Sequence, residues 1–472
     1  MESWTSFIEA INEYIWGTGI FGITSILVPL LLGTGIYLTI RIRGLTLRKL
    51  FAALKYGLIT RKEHTEHGDI SHYRALMAAL SGTVGTGNVG GVATAIALGG
   101  PGALFWMWIT ALFGLATKYA EAILGVKYRT TDERGEKVGG PMYYLSRGVG
   151  GFHGRSLGFL FAVFAAISAF GIGNTVQSNA TTSYINATFN VPTWISGIVL
   201  MLLAGFVILG GIKRIGTFAG YLVPFMLLLY LVGGLTLLTM HASALPAAFQ
   251  LIFESAFTGT SMTGGFAGAG VLFAIQYGVA RGIFSNESGL GTGGIAAASA
   301  QTTAPVRQGM VSMTQTFIDT IVICSITGLS IIVTGAWTSN SDPDLLTQVA
   351  FSQSMGQVGA ILVTIVLSLF TFTTLLTWGY YGERNIVYLF GRKGVLPYRI
   401  VFIALIFFGS VLTLEFVWAF ATMMNGLMAL PNLIGLLFLS GVVWRETRDY
   451  FKRTNGKLAP VESVSRGDAD TA

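Results

Sequence analysis

One apolar stretch of this chain is interrupted by a segment that is too rich in glycine to hold a regular helix. Residues 81–91 read Ser-Gly-Thr-Val-Gly-Thr-Gly-Asn-Val-Gly-Gly, and apolar sequence lies on both sides. Non-helical backbone inside hydrocarbon is tolerated only where it lines a cavity or is buried in protein. The segment therefore predicts a spanning helix that unwinds around a polar ligand.

Composition indicates a polytopic membrane protein. The chain is 52% hydrophobic and 11% charged, with a mean hydropathy of +0.66, whereas soluble proteins carry about 25% charged residues. Cys324 has no second cysteine, which excludes an internal disulfide and a cysteine metal site. The net charge of +7 is spread over many loops and forms no patch, which argues against nucleic acid as a partner.

A spanning helix needs about 20 apolar residues. By that criterion, about eleven segments lie near 18–40, 75–98, 103–126, 157–187, 193–211, 215–241, 246–280, 308–337, 356–383, 400–414 and 415–443. The N-terminus has no basic region, so we expect the first segment to remain rather than to be a cleaved signal peptide.

Basic residues fall in alternate connections between these segments. They occupy Arg41–Arg74, Lys127–Arg155, Lys213–Arg214, Arg281–Arg307, Arg384–Arg399 and the chain from Arg445 onward. The positive-inside rule then places the N-terminus outside and the C-terminus in the cytoplasm. Of the 29 basic residues, we expect only Lys118 to lie within a span. This pattern fits a multi-pass protein of the inner membrane of a prokaryote.

A second glycine-rich segment, Thr258–Gly270, follows five apolar segments after the first. Two such interruptions at corresponding places indicate a secondary transporter built from inverted repeats. The predicted fold is all-α, with one extra N-terminal spanning helix and two five-helix repeats. Its expected parts are residues 1–72 (extra helix and basic linker), 73–241 (first repeat), 242–444 (second repeat) and 445–472 (disordered cytoplasmic tail).

The first interruption offers ligands for two kinds of ion. Gly85, Thr86 and Gly87 would expose N–H groups at the positive end of the second half-helix, which favours an anion such as a carboxylate. The carbonyls near 81–84 suit a small alkali cation, and Asn88 adds a side-chain oxygen. The alternative is that the small residues only allow close helix packing.

Several longer motifs resemble the alanine or glycine:cation symporter family, which has a LeuT-type fold. The motifs that carry the resemblance are 83–88, 87–108, 116–121, 139–144, 280–291, 317–320 and 378–384. The resemblance implies a LeuT-type 5+5 inverted repeat and no enzymatic activity. It also implies inward carriage of a small neutral amino acid, alanine or glycine, with Na⁺ or, in some members, H⁺. The coupling ion is the only cofactor implied.

The resemblance also implies the site residues. The substrate carboxylate would bind at Gly85, Thr86 and Gly87. The second interruption would face it with Gly264, Gly265 and Phe266. The expected cation ligands are Ser81, Thr83, Val84, Asn88, Thr373 and Thr374. Trp378 shares a helical face with Thr374 and would wall the substrate pocket. For the threonine pair, the alternative is a hydrogen bond within their own helix.

Six other polar residues remain open. Asp319 lies mid-span, where it would bind a cation, pair with the substrate amine or hold helices together. Gln177 would contact the substrate or bond another helix. Lys118 and Glu121 favour snorkelling or a mutual pair. Asn286 and Glu287 would form a cytoplasmic gate or cap a helix.

Two further readings are set aside. The His- and acid-rich stretch 63–72 lacks the spacing of a zinc motif and is interpreted as a solvated linker. The alternatives to an amino-acid symporter are a LeuT-type carrier for another small solute and a gated channel. An enzyme would need a nucleophile and a base within the spans.

Overall fold

The computed structural model describes residues 2–16, 26–59, 68–258, 267–339, 341–412 and 414–458. The described helices are α1 (Glu2–Trp16), α2 (Leu27–Arg41), α3 (Leu45–Arg48), α4 (Leu50–Ile59), α5 (His72–Thr83), α6 (Val92–Gly99), α7 (Gly102–Lys127), α8 (Pro141–Tyr144), α9 (Gly151–Phe170), α10 (Val176–Phe189), α11 (Thr193–Ile208), α12 (Gly211–Met240), α13 (Leu245–Thr258), α14 (Ala267–Asn286), α15 (Thr292–Ala298), α16 (Pro305–Thr316), α17 (Ser325–Val333), α18 (Leu346–Phe390), α19 (Val395–Val411) and α20 (Leu414–Arg453).

Shorter elements connect or interrupt these helices. π-helical turns occupy Gly87–Gly91, Leu145–Val149, Gly171–Thr175 and Phe317–Cys324, and 3₁₀ turns occupy Ala242–Ala244, Ala336–Thr338, Pro343–Leu345 and Arg392–Gly394. Strands β1 (Thr130–Thr131) and β2 (Lys137–Val138) pair antiparallel in a hairpin between α7 and α8.

The arrangement of helices agrees with eleven spans. Seven described helical stretches are long and apolar enough to cross a membrane. The remaining spans are α2, α11, the interrupted pair α5–α6 and the interrupted pair α14–α15. Within α18, the helix kinks at Gly356, whose φ is 60°, at the position where the sequence predicts the span to begin. At the other end, α20 continues to Arg453, beyond the predicted repeat boundary at 444.

The spanning helices form two packed groups. In the first, α7 packs against α14, α15 and α16, and α6 packs against α14. The contact between α7 and α15 is so tight that a Cβ at Gly125 would lie 2.3 Å from the Gly294 carbonyl oxygen. In the second group, α18 packs against α9 and α10, and α11 packs against α19. Helix α12 packs against α5, α17 and α18, and α20 packs against α7 and α9. The two groups are thus separate packing units. We call the first group the bundle and the second group the scaffold.

The basic connections meet at one end of the molecule, as the charge pattern predicts. Ile70 pairs with Ala300 in a parallel bridge. The Arg129 guanidinium donates to the carbonyl of Ala300 at 2.7 Å. Lys49 donates to the carbonyl of Gly456 at 3.0 Å, which brings the first linker to the end of α20.

Arg281 departs from that pattern. The sequence analysis assigns it to a basic connection, but it lies inside α14 and its guanidinium stacks over the Trp418 ring at 4.3 Å. Eight residues earlier, α14 passes the end of α6, where the Phe273 carbonyl lies 3.1 Å from a Cβ position at Gly99. The prediction that only Lys118 lies within a span is therefore wrong.

An ion-pair network at the basic end joins the two groups of helices. The hairpin after α7 presents Asp132 and Glu136. Arg384 of α18 lies 3.0 Å from Glu136 and 3.7 Å from Asp132. Arg392 also approaches both, at 2.8 Å and 3.2 Å. The side chain of Arg384 is only 2% exposed, so little solvent screens these pairs.

We expect Arg384→Met to lower the thermal unfolding midpoint of the detergent-purified protein. Removing one partner of a buried ion pair costs about 3–5 kcal/mol, because the remaining charges stay buried. The matched control is Arg448→Met, whose pair with Asp449 is about half exposed and contributes at most about 1 kcal/mol. Equal midpoints for the two variants would contradict this role of Arg384.

Candidate functional site: two facing helix breaks

The first predicted interruption is confirmed. Helix α5 ends at Thr83, Val84 adopts an extended conformation with ψ of 96°, and the π-helical turn Gly87–Gly91 leads into α6. Two N–H groups of the unwound segment donate hydrogen bonds to side-chain amide oxygens. That of Gly85 donates to Asn88 Oδ1 at 2.9 Å, and that of Thr86 donates to Gln177 Oε1 at 3.1 Å. The N–H groups predicted to face an anion are thus held by neutral side-chain acceptors.

An oxygen cluster lies where α5 ends. Thr374 Oγ1 is 3.1 Å from the Ser81 carbonyl, 3.2 Å from the Val84 carbonyl and 3.0 Å from the Phe370 carbonyl. A hydroxyl carries one hydrogen, so it cannot donate to all three oxygens. The usual helical partner of Ser81 is the Gly85 N–H, which is diverted to Asn88. Lone pairs therefore remain free to bind an alkali cation.

The other predicted cation ligands have different surroundings. The Thr373 hydroxyl donates to the Phe370 carbonyl at 2.9 Å, and the Thr83 hydroxyl lies 3.2 Å from the Ala79 carbonyl in its own helix. Thr373 follows the intrahelical alternative, and Thr374 has the same contact with the Phe370 carbonyl. The sequence analysis did not predict the Phe370 carbonyl, because it lies within a continuous helix and not in the glycine-rich segment.

Asp319 joins three parts of the site. Its Oδ1 accepts from Asn88 Nδ2 at 2.8 Å, and its Oδ2 accepts from the hydroxyls of Ser285 at 2.7 Å and Thr320 at 2.9 Å. The residue is fully buried. Of the three alternatives for this carboxylate, these bonds favour holding helices together. They also fix the Asn88 side chain that caps Gly85.

The unwound segment that faces the first break differs from the predicted one. Helix α14 ends at Asn286, Glu287 has a φ of 56°, and α15 begins at Thr292. A Cβ at Gly87 would lie 2.9 Å from Ser285 Cα, so the two breaks are in direct contact. The predicted Gly264, Gly265 and Phe266 lie outside the described residues.

This finding corrects the assignment of Asn286 and Glu287 to a cytoplasmic connection. Both are buried inside the bundle, with exposures of 0% and 1%. The signal was present as Asn-Glu-Ser-Gly-Leu-Gly after an apolar helix. It was outweighed by the longer glycine run before it and by Arg281, which resembles the start of a loop.

Trp378 connects the two breaks. Its indole N–H lies 2.8 Å from Glu287 Oε1 and 3.2 Å from the Gly82 carbonyl. Its ring packs so closely on α9–α10 that a Cβ at Gly173 would lie 2.1 Å from Trp378 Cβ. The side chain is 1% exposed, so it supports the site from behind.

A small pocket of about 70 Å³ adjoins the first break. It is lined by Thr86, Gly90, Ala180, Ser183, Tyr184, Asp342, Asp344, Leu345, Leu367 and Trp418. Trp378, predicted as a wall, is not among these residues. Thr86 Oγ1 is buried and has no hydrogen-bond partner within the described part of the chain. An unpaired buried hydroxyl beside a cavity is available to a polar ligand.

Facing helix breaks, a cluster of carbonyl and hydroxyl oxygens and an adjoining pocket are typical of a secondary transporter. The comparison with known proteins gives the family: the chain belongs to the sodium:alanine symporter family, whose sequence profile matches residues 1–463.

Relatives match along almost the full chain. The sodium/alanine symporter AgcS of Methanococcus maripaludis is 48% identical, over 94% of this chain and 97% of its own length. An uncharacterized transporter of Haemophilus influenzae is 49% identical, over 95% of this chain and 96% of its own. A solved structure of a manganese transporter variant from Eremococcus coleocola shares the fold, with a TM-score of 0.52 and 14% identity. That match covers 79% of this chain and 83% of the transporter.

We expect Thr374→Val to weaken Na⁺ binding, because it keeps the side-chain shape and removes a ligand oxygen. An interaction with a charged group contributes about 1.5–3 kcal/mol, so the half-saturating Na⁺ concentration should rise about tenfold or more. The measurement is Na⁺-dependent protection against thermal unfolding. The control is Thr83→Val, whose hydroxyl bonds within α5. Identical Na⁺ dependence in the two variants would remove Thr374 from the cation site.

Proposed function

We propose that the protein is a symporter that couples inward Na⁺ movement to uptake of a small neutral amino acid, alanine or glycine. The observation that carries this proposal is the first break, where one short segment holds both sets of ligands. Its carbonyls at Ser81 and Val84 approach Thr374, and its N–H groups at Gly85 and Thr86 donate to Asn88 and Gln177. Ion and substrate would be coupled because each orders the segment that binds the other.

The substrate carboxylate would bind the N–H groups of Gly85, Thr86 and Gly87. The amide oxygens of Asn88 and Gln177 accept hydrogen bonds from two of these donors. A carboxylate makes stronger, charge-assisted hydrogen bonds than a neutral amide. Binding would therefore release Gln177 from Thr86 and let its side chain turn to the substrate.

Alternating access would follow from the two packing units. Bundle and scaffold meet at the site through Thr374 and Trp378 on one side and the two breaks on the other. Na⁺ at the Thr374 cluster would hold α5 against α18 while the substrate completes the cavity. Rocking of the bundle against the scaffold would then require the hairpin ion pairs of Arg384 at the basic end to open.

The proposed orientation places that basic end in the cytoplasm. The pocket beside Thr86 extends to Asp342 and Asp344 in the connection before α18, which has no basic residue. On this orientation, the pocket faces the outside of the cell, as uptake requires.

Reconstitution tests the proposal. The protein in proteoliposomes should accumulate labelled alanine when an inward Na⁺ gradient is imposed, and the uptake should saturate. A proton gradient imposed alone distinguishes Na⁺ coupling from H⁺ coupling. Absence of uptake under both gradients would contradict a symporter, and flux that does not saturate would indicate a channel.

Thr86→Val should reduce substrate affinity without reducing thermal stability. The unpaired hydroxyl contributes no internal hydrogen bond among the described residues, whereas one bond to substrate is worth about 0.5–1.5 kcal/mol, or about three- to tenfold in affinity. Alanine-dependent thermal protection measures the change. Thr86→Ser keeps the hydroxyl and should retain affinity. A valine variant that binds alanine normally would exclude this hydroxyl from the site.

Pocket size should set the substrate range. Leu367 and Trp418 line the cavity beside Gly90 and Ala180, so a methyl side chain should fit and leucine should clash. A missing methyl costs only about 1–3 kcal/mol in an apolar pocket, so glycine should compete more weakly than alanine. Competition against labelled alanine by glycine, D-alanine and leucine measures this order. Strong competition and transport by leucine would contradict it.

A further inference from the structure

The second break contains a buried lysine whose surroundings resemble a cation site. Lys118 of α7 is fully buried. Its Nζ lies 3.1 Å from the Glu287 carbonyl, 3.5 Å from Thr292 Oγ1 and 3.9 Å from Glu121 Oε2. An ammonium group inside a helical bundle of a membrane protein is costly and marks a function. The predicted mutual pair with Glu121 is present, and snorkelling is not, since the side chain points into the break.

The break itself fixes the two acids around this ammonium. Glu121 Oε1 accepts from the N–H groups of Gly289 at 3.0 Å and Gly291 at 2.9 Å, and Oε2 has no hydrogen-bond partner among the described residues. Glu287 accepts from Trp378 at 2.8 Å and from Thr292 at 2.6 Å. The ammonium thus lies beside the Glu121 carboxylate and the Glu287 backbone carbonyl, and the protein holds both acidic side chains in place.

The ligand set repeats that of the first break. There, carbonyls at the C-terminal end of α5 meet the hydroxyl of Thr374. Here, the Glu287 carbonyl just past the C-terminal end of α14 and the hydroxyl of Thr292 both lie within 3.5 Å of Lys118 Nζ. The C-terminal end of a helix carries partial negative charge, and unwound carbonyls at such ends coordinate coupling ions in transporters. Each break therefore has a place for one cation, and Lys118 fills the second.

The fit is close. A Cβ at Gly293 would lie 2.5 Å from Lys118 Cδ and 2.9 Å from Glu121 Oε2. The glycine in the first turn of α15 thus leaves room for the lysine stem to reach the break.

We propose that the Lys118 ammonium is a tethered cation that takes the place of a second coupling ion. This inference rests on the proposed symport function. Because the lysine stays with the protein, it neutralises the second break without carrying charge across the membrane. One mobile Na⁺, bound at the Thr374 cluster, then accompanies each amino acid.

The first test uses the unmodified full chain in proteoliposomes, with labelled Na⁺ and labelled alanine followed in parallel. We expect one Na⁺ to enter per alanine. Two Na⁺ per alanine would overturn the role of Lys118 and leave the symporter intact. Absence of Na⁺-driven uptake would contradict the proposed function instead.

The second test removes the Lys118 ammonium group from the second break. In Lys118→Ala, Na⁺ should fill the oxygen ligands left by the ammonium, so two Na⁺ should enter per alanine and the Hill coefficient for Na⁺ should rise from about one towards two. A folded variant that keeps a ratio of one, or shows no uptake at any Na⁺ concentration, would overturn the proposal.

Lys127→Ala is the matched control. It removes the same charge from the same helix, at a surface pair with Glu446 where the lysine is 35% exposed. Its ratio should stay at that of the unmodified protein. Should the Lys118 variant fail to fold, a ratio of two in the unmodified protein would still overturn the proposal.

Discussion

Unpaired backbone groups inside the bundle are the constraint on which the rest of the structure depends. Each unsatisfied N–H or C=O in a medium without water costs several kcal/mol. Every break must therefore be surrounded by polar partners. Asn88 and Gln177 serve the first break, and Glu121 and Lys118 serve the second. These four buried side chains lie at the breaks because the unwound backbone requires polar partners.

The same constraint makes the two breaks a single unit. Trp378 donates towards Gly82 in the first and Glu287 in the second, and Asp319 accepts from Asn88 and Ser285. Displacing either segment leaves a donor or an acceptor of the other unpaired. An ion that orders one break thus favours the ordered form of the other, which is the physical basis for coupling at this site.

The sequence predicted those features that depend on composition and failed where a tertiary contact decides. The span number and the first break followed from hydropathy and from the glycines of 81–91. The break after α14 was assigned to a connection because Arg281 signals a loop by charge, although its stacking on Trp418 lets it remain within a helix. The oxygen cluster at Thr374 was predicted in part: the Ser81 and Val84 carbonyls lie in the segment that the glycines mark, whereas the Phe370 carbonyl lies within a continuous helix and has no such mark.

The buried charges around the two breaks give a physical reason for a cation to bind there. Around the breaks, Glu121, Glu287 and Asp319 supply three carboxylates and Lys118 supplies one ammonium. Burying carboxylates costs several kcal/mol each unless hydrogen bonds and opposite charge compensate. Hydrogen bonds to neutral donors supply part of this compensation, and the remaining field attracts positive charge. A Na⁺ at the Thr374 cluster would reduce that cost. The substrate is a zwitterion with no net charge, and it would then enter a site that the ion has made more nearly neutral.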